Sequence, residues 1–249
     1  SVPDPRLTLI LSKSQAWVQG KDGSEEWKGV PNGLPVTELS LPEYDNNHNS
    51  CIWGYMWGYD WNSAEKGDNI SKPQTDADFT PLGLMNYSEV CFLKAEAALR
   101  GWQGAGDAKT NYENGIRASF EEMRANAPKD SYSKSNDDKY ISEGNVAWNN
   151  ADSFEAKLEK IITQKWIGIY PNSEEAWAEF RRTGYPKLNP VKQSLEPTIN
   201  SKNGEFIKKL RYVDNELSNN KEYATDPTLN GGQGDGLSVR VWWDTARYK

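Results

Sequence analysis

From Asn86 onward the apolar residues fall into step with the α-helix, and no other feature restricts the possible folds of this chain so strongly. Tyr87, Val90, Cys91, Ala95 and Ala98 share one stripe, and Glu89, Glu96 and Arg100 share another. Glu96 precedes Arg100 by four residues, the favourable order for an ion pair along a helix. Ala95, Ala97 and Ala98 are small enough to let a neighbouring helix approach. Gly101 and Gly104 end the segment. A second stripe, from about Asp107, carries Tyr112, Ile116, Phe120 and Met123. Gly115 in its middle costs about 1 kcal/mol relative to Ala, which a tight packing contact would explain. The two stripes predict a helical hairpin.

A second hairpin is expected further on. Asp152 and Glu155 have the spacing of a capping box, and Phe154, Leu158, Ile161, Ile162 and Ile169 form the buried stripe. Pro171 and Asn172 break the chain. Glu174 and Glu175 then open a short helix and Arg181 and Arg182 close it, both favoured by the macrodipole, before Gly184 and Pro186. Trp166, Trp177, Tyr87 and Tyr112 lie on helical stripes and are read as core. Asp152 to Thr183 spans 32 residues, near the tetratricopeptide unit of about 34, although the full consensus is missing. Residues 127–151 are polar and are expected to form a surface excursion. Residues 1–83 and 187–249 lack a sustained period and are rich in turn-forming residues. The fold expected is mostly α: a single region of loop-rich 1–83, helical hairpins over 84–186 and an irregular 187–249.

Composition narrows the chemistry. The 249 residues carry 29 Lys and Arg against 36 Asp and Glu, a net charge of −7, which argues against nucleic acid or an anionic membrane surface as partner. One histidine, His48, and two cysteines, Cys51 and Cys91, leave little room for His-dependent nucleophilic catalysis, a thiolate zinc site or a disulfide framework. No cofactor is called for. Gly231 to Gly236 fits neither the dinucleotide fingerprint nor the P-loop; a calcium loop through Asp226 and Asp235 is the alternative to a plain turn. Trp and Tyr number 11 and 12 against 6 Phe. Their rings pair a flat apolar face with a polar tip, matching a sugar with its C–H face and hydroxyl rim.

One segment concentrates these rings. Trp53, Tyr55, Trp57, Tyr59 and Trp61 alternate with smaller residues, so in an extended segment all five share a face. They are the first candidates for stacking on a glycan; the competing reading is that this face packs as core. Trp17 and Trp27, in a polar Gly-containing context, are secondary candidates. The acid pairs Glu25-Glu26, Glu121-Glu122, Asp137-Asp138 and Glu174-Glu175 invite a glycosidase reading, but that chemistry needs two carboxylates across a cleft, roughly 5–9.5 Å apart, which adjacency in sequence does not supply.

Four stretches in order carry a family resemblance: Asp4-Pro5-Arg6-Leu7; Asn86-Tyr87-Ser88-Glu89-Val90 with Lys94-Ala95-Glu96-Ala97; Gln164-Lys165-Trp166-Ile167 with Glu175-Ala176-Trp177 and Arg181-Arg182-Thr183-Gly184-Tyr185-Pro186; and Arg211-Tyr212, Asn215-Glu216, Asn219-Asn220 and Tyr223, closed by Trp242-Trp243-Asp244. Together they resemble the SusD/RagB family of SusD-like lipoproteins, over its C-terminal part only. The resemblance implies tetratricopeptide-like hairpins overlaid by long loops and short strands. It also implies a longer parent, lipid-anchored on the outer face of a Gram-negative outer membrane, with the anchor absent from this chain. Members capture glycans, or in some cases peptides, for a TonB-dependent SusC-like transporter, and are not catalysts. Loops between the Asp-Pro-Arg stretch and the first of these helices contribute to the family's ligand pocket, which favours the 53–61 aromatics. For Asn215-Glu216 and Trp242-Trp243-Asp244, buried structural hydrogen bonding is expected. The rival readings are a glycoside hydrolase and a tetratricopeptide-type scaffold for a peptide or protein.

Overall fold

The computed structural model describes residues 2–11, 13–44, 48–50, 83–125, 134–191, 193–224, 226, 228–232 and 234–244. The α-helices among them are, in chain order, α1 Leu7–Ile10, α2 Gln15–Val18, α3 Val36–Leu39, α4 Tyr87–Leu99, α5 Ala108–Ala125, α6 Asp137–Ser142, α7 Phe154–Gly168, α8 Ser173–Thr183, α9 Asp214–Asn219 and α10 Lys221–Ala224. No β-strand is present among the described residues, so the expected short strands are not found there. The chain forms two compact units, Ser1–Gly29 with Pro42–Trp177 and Val30–Leu41 with Ala178–Lys249.

The first unit is organised by α4, α5 and α7, which pack on one another around the fully buried Phe92. Both partner helices put a glycine against that ring. A Cβ on Gly115 would lie 2.7–2.8 Å from three Phe92 ring atoms, and one on Gly168 would lie 3.3 Å from the ring. The expected hairpin and the packing reason for Gly115 are therefore both found. Ile116, Phe120, Leu158, Ile161 and Ile162 complete the core. Helix α4 begins after Asn86, whose side chain makes no capping bond. The Glu122 carboxylate of α5 takes that role, accepting from the Ser88 amide at 2.9 Å and its hydroxyl at 2.5 Å. The Glu96–Arg100 pair forms as expected, at 2.7 Å.

The Asp-Pro-Arg stretch is tied into the same core. Arg6 is fully buried. Its guanidinium donates to both Asp4 carboxylate oxygens at 2.9 and 2.7 Å, to Ser119 Oγ of α5 at 2.9 Å, and to Gln164 Oε1 of α7 at 2.6 Å. Tyr140 donates its hydroxyl to Asp4 at 2.8 Å and receives the Gln164 amide at 3.2 Å. The guanidinium also lies 5.3 Å from the centre of the Phe120 ring. One residue thus joins α5, α6 and α7, and its charge and donors are met inside the core, as burial of an ion demands.

Several expectations are corrected. Residues 134–142 of the supposed surface excursion contain α6, with Tyr140 and Ile141 buried; two apolar neighbours in a polar stretch were the available signal. The N-cap of α7 is Ser153, not Asp152: Ser153 has extended backbone and its hydroxyl accepts from the Ala156 amide at 3.2 Å. Asp152 pairs instead with Lys160 at 2.7 Å. Ser153→Ala is expected to lower stability by about 1 kcal/mol in urea unfolding, the usual worth of such a cap. Tyr87 is 67% exposed, Trp166 38% and Phe154 36%, so these three are not core. On α7 the inward positions beside Trp166 belong to Gln164 and Lys165. Gln164 serves Arg6, and the buried Lys165 ammonium reaches Glu175 at 2.7 Å and Glu89 at 3.6 Å. Tyr112 is core, as expected.

In the second unit, Phe180 meets Phe206 edge to face at 4.9 Å, with Ile199, Leu229 and Val239 buried. The Lys208 amide donates to Leu237 O at 2.7 Å, and the Leu237 amide donates to Thr198 Oγ1 at 3.1 Å. Gly33 turns at φ +78° against the Gln193 carbonyl, a conformation and approach that leave no place for a Cβ.

Candidate functional site

Among the described residues, the sequence-derived candidates come together in the segment before α4. Ser14 is fully buried and closes a loop. Its amide donates to Glu26 O at 3.0 Å, its hydroxyl donates to Glu25 O at 2.5 Å, and the Trp17 amide donates to that hydroxyl at 3.3 Å. The closure brings Trp17 and Trp27 to the same lysine. The Lys13 ammonium lies 4.6 Å from the Trp17 ring centre and 6.0 Å from that of Trp27, and pairs with Glu26 at 2.8 Å. Such cation–indole contacts are worth about 0.5–1 kcal/mol each at exposed sites and hold the rings in place. Trp17 remains 39% exposed.

The described residues up to Ser50 are tied back to this loop. The Ser50 amide donates to Lys28 O at 2.7 Å, and the Lys28 amide donates to Ser50 Oγ at 3.1 Å. The Lys28 ammonium stands 5.8 Å from the Tyr44 ring centre. Trp53, Tyr55, Trp57, Tyr59 and Trp61 follow directly in sequence but lie outside the described residues, as does Cys51. Only Trp17 and Trp27 of the seven candidates are therefore placed by the structure, and it brings those two together.

The other motifs resolve into structural roles or exposed surface. Arg181 donates to Lys208 O at 3.1 Å and lies 4.9 Å from the centre of a Trp243 ring. Asp244 is buried and pairs with Arg240 at 2.5 Å. Trp242, expected to be buried, is 94% exposed, and Trp102 at the α4–α5 turn is 68% exposed; sequence reading did not single out Trp102. Asn215 and Glu216 bond locally to Asn219 and Asn220 on the exposed face of α9, not in a buried network. Asp235 binds Lys209 and the Tyr212 amide while Asp226 caps Thr228, so the two acids of the calcium alternative are engaged separately. Among the described residues no group of three or more metal-ligating side chains converges. The acid pairs serve ion pairs: Glu121 and Asp137 meet Arg124, Asp138 meets Arg117, and Glu175 meets Lys165. Cys91 is a buried free thiol, as expected.

The model of the SusD-like family, described as Susd and RagB outer membrane lipoprotein, matches residues 38–244. The chain belongs to the SusD-like family. Solved SusD-like structures superpose over nearly all of it. A chitin-binding SusD homolog from Flavobacterium johnsoniae is 31% identical with a TM-score of 0.69, covering 97% of this chain and 46% of its own. A SusD homolog from Bacteroides ovatus is 30% identical with a TM-score of 0.67, covering 97% and 49%. One from Bacteroides uniformis is 27% identical with a TM-score of 0.68, covering 97% and 46%. The chain therefore spans about half the length of these SusD-like relatives. Among curated proteins no match is found. Membership in this family of lipoproteins places the protein at the outer membrane. Among the described residues no helix is long and apolar enough to cross a membrane.

Proposed function

We propose that this chain is a non-catalytic, cell-surface binder of oligosaccharide, acting for import through a TonB-dependent SusC-like transporter from a lipid-anchored full-length protein. The observation that carries the reading is the indole pair Trp17 and Trp27 held around Lys13 in a loop closed by Ser14. Exposed, immobilised aromatic rings suit the apolar faces of pyranoses, while polar loop groups satisfy the hydroxyls. The ladder Trp53, Tyr55, Trp57, Tyr59 and Trp61 follows Ser50 and is proposed to extend the stacking surface. The chitin-binding relative at 31% identity makes β-1,4-linked N-acetylglucosamine oligomers the first ligands to try.

Titration with N-acetylchitohexaose, followed by tryptophan fluorescence and calorimetry with the sugar recovered afterwards, tests the reading. Saturable binding with intact sugar is expected. Trp17→Ala should weaken it about fivefold to twelvefold, the worth of one aromatic stacking contact of about 1–1.5 kcal/mol. Recovery of cleaved sugar would establish a hydrolase instead. Unchanged affinity in both Trp17→Ala and Trp57→Ala/Trp61→Ala would remove the aromatic surface from the proposal.

A further inference from the structure

A cleft of about 520 Å³ opens between α7 and residues 144–152 in the first unit, within the range of small-molecule sites. Of the stretches that carry the family resemblance only Gln164 lines it, and neither Trp17 nor Trp27 does. Its wall on α7 is a single helical face, Ala156, Glu159, Lys160, Thr163 and Gln164, and the facing wall includes Asn145, Val146 and Asp152. We infer that this cleft is a second saccharide site, shallow and uncharged in its preference, that takes one or two neutral sugar rings.

Three observations carry this. The cleft is preformed, because its loop is fixed from both sides. Lys160 donates to Ala147 O and to Asp152, each at 2.7 Å, and Tyr112 donates to Val146 O at 2.8 Å. Trp148 packs on the Tyr112 ring at 5.4 Å. A preformed wall avoids the ordering cost that weakens small ligands. Next, hydrogen-bonding capacity is left over where a ligand would sit: the side chains of Asn145 and Thr163, both lining the cleft, make no hydrogen bond among the described residues. Finally, the two uncommitted groups, the Thr163 hydroxyl and the Asn145 amide, each donate and accept, whereas Asp152 is taken by Lys160 and Gln164 by Arg6 and Tyr140. A pyranose offers several O–H donors on one ring and C–H faces for Val146 and Ala156. A peptide backbone offers one N–H per residue and fits this wall less well.

The inference rests on the reading of the chain as a saccharide binder but on different residues, so the two fail separately. The test is nuclear magnetic resonance of the ¹⁵N-labelled 249-residue chain titrated to millimolar concentrations with cellobiose, N,N′-diacetylchitobiose and, as the peptide probe, tetraglycine. Saturable shifts are expected at the amides of Asn145, Val146 and Thr163 with a disaccharide and not with tetraglycine. Thr163→Val, which keeps the shape, and Asn145→Ala, at an exposed position, should each weaken binding about twofold to tenfold, the range for one lost hydrogen bond. If Thr163→Val does not give a folded spectrum, Asn145→Ala decides alone. Trp17→Ala should leave these shifts in place. Absence of shifts at the cleft with both disaccharides overturns the inference. So does unchanged affinity in the folded variants, or a stronger response to tetraglycine. Shifts confined to the Trp17 and Trp27 indoles overturn it while leaving the stacking surface standing; shifts confined to the cleft do the reverse.

Discussion

Arg6→Ala is expected to destabilise the protein by about 3–5 kcal/mol, the usual consequence of removing one partner from a buried ion pair. The loss exceeds that of a surface pair because Arg6 is fully buried and serves several acceptors at once. Its removal leaves Ser119, Gln164 and the Asp4 carboxylate without their shared donor, and each orphaned buried group adds its own desolvation penalty. Urea unfolding measures this directly; a loss below 1 kcal/mol would mean the network is not formed in solution. The network also makes stability depend on pH. Burial pushes the Asp4 carboxyl up, but the Arg6 charge and the hydrogen bonds from Arg6 and Tyr140 more than offset it, leaving the group below its ordinary value of 3.8. A carboxyl with a depressed folded-state pKa contributes stability above its unfolded value and loses it as pH falls through the folded one. Acid titration of stability should therefore show a loss below about pH 4 that Asp4→Asn removes. Tyr140, pushed up to about 12 chiefly by burial, stays neutral and keeps its donor across this window.

Phe92→Ala should cost about 3–5 kcal/mol by emptying the point where α4, α5 and α7 meet. Gly115→Ala is the complementary case. Alanine gains about 1 kcal/mol in helix propensity. Its Cβ would nevertheless sit 2.7–2.8 Å from a ring with no room to retreat, and overpacking costs about 1–3 kcal/mol. The expected net effect is destabilisation by up to about 2 kcal/mol. A double-mutant cycle separates the terms. In the Phe92→Ala background the clash is gone, so Gly115→Ala should become neutral or stabilising; a penalty that persists there would refute the contact as its cause.

The helices were legible wherever pattern and local chemistry agree. The stripes at Cys91, Ala95, Tyr112, Ile116 and Phe120 mark faces that are buried, and Gly115 signalled its own contact because a helix carries such a residue at a cost. Apolar periodicity misleads where a polar residue holds an inward place. Trp166 is the more apolar residue, yet Gln164 and Lys165 are turned inward because Arg6, Glu89 and Glu175 require partners there. Helix α6 was missed because its burial rests on Tyr140 meeting Asp4 and Gln164, partners 136 and 24 residues away.

For the site, sequence marked Trp17 and Trp27 by residue type, while the lysine that unites them and the serine that closes their loop emerged only from the folded chain. The cleft beside α7 left no trace in sequence: Asn145, Glu159, Lys160 and Thr163 are ordinary polar types until a loop is pinned across them. By itself the sequence determined the mostly α class, the α4–α5 hairpin and the SusD-like family, because these rest on periodicity and ordered motifs that are local properties of the chain. The second expected hairpin did not form, since α7 packs on α4 and α5 and not on α8. Tertiary structure decided which polar residues are buried, which aromatics face solvent and where a cavity opens. Those depend on contacts between residues far apart in the chain, for which burial free energy, not local propensity, selects the partner.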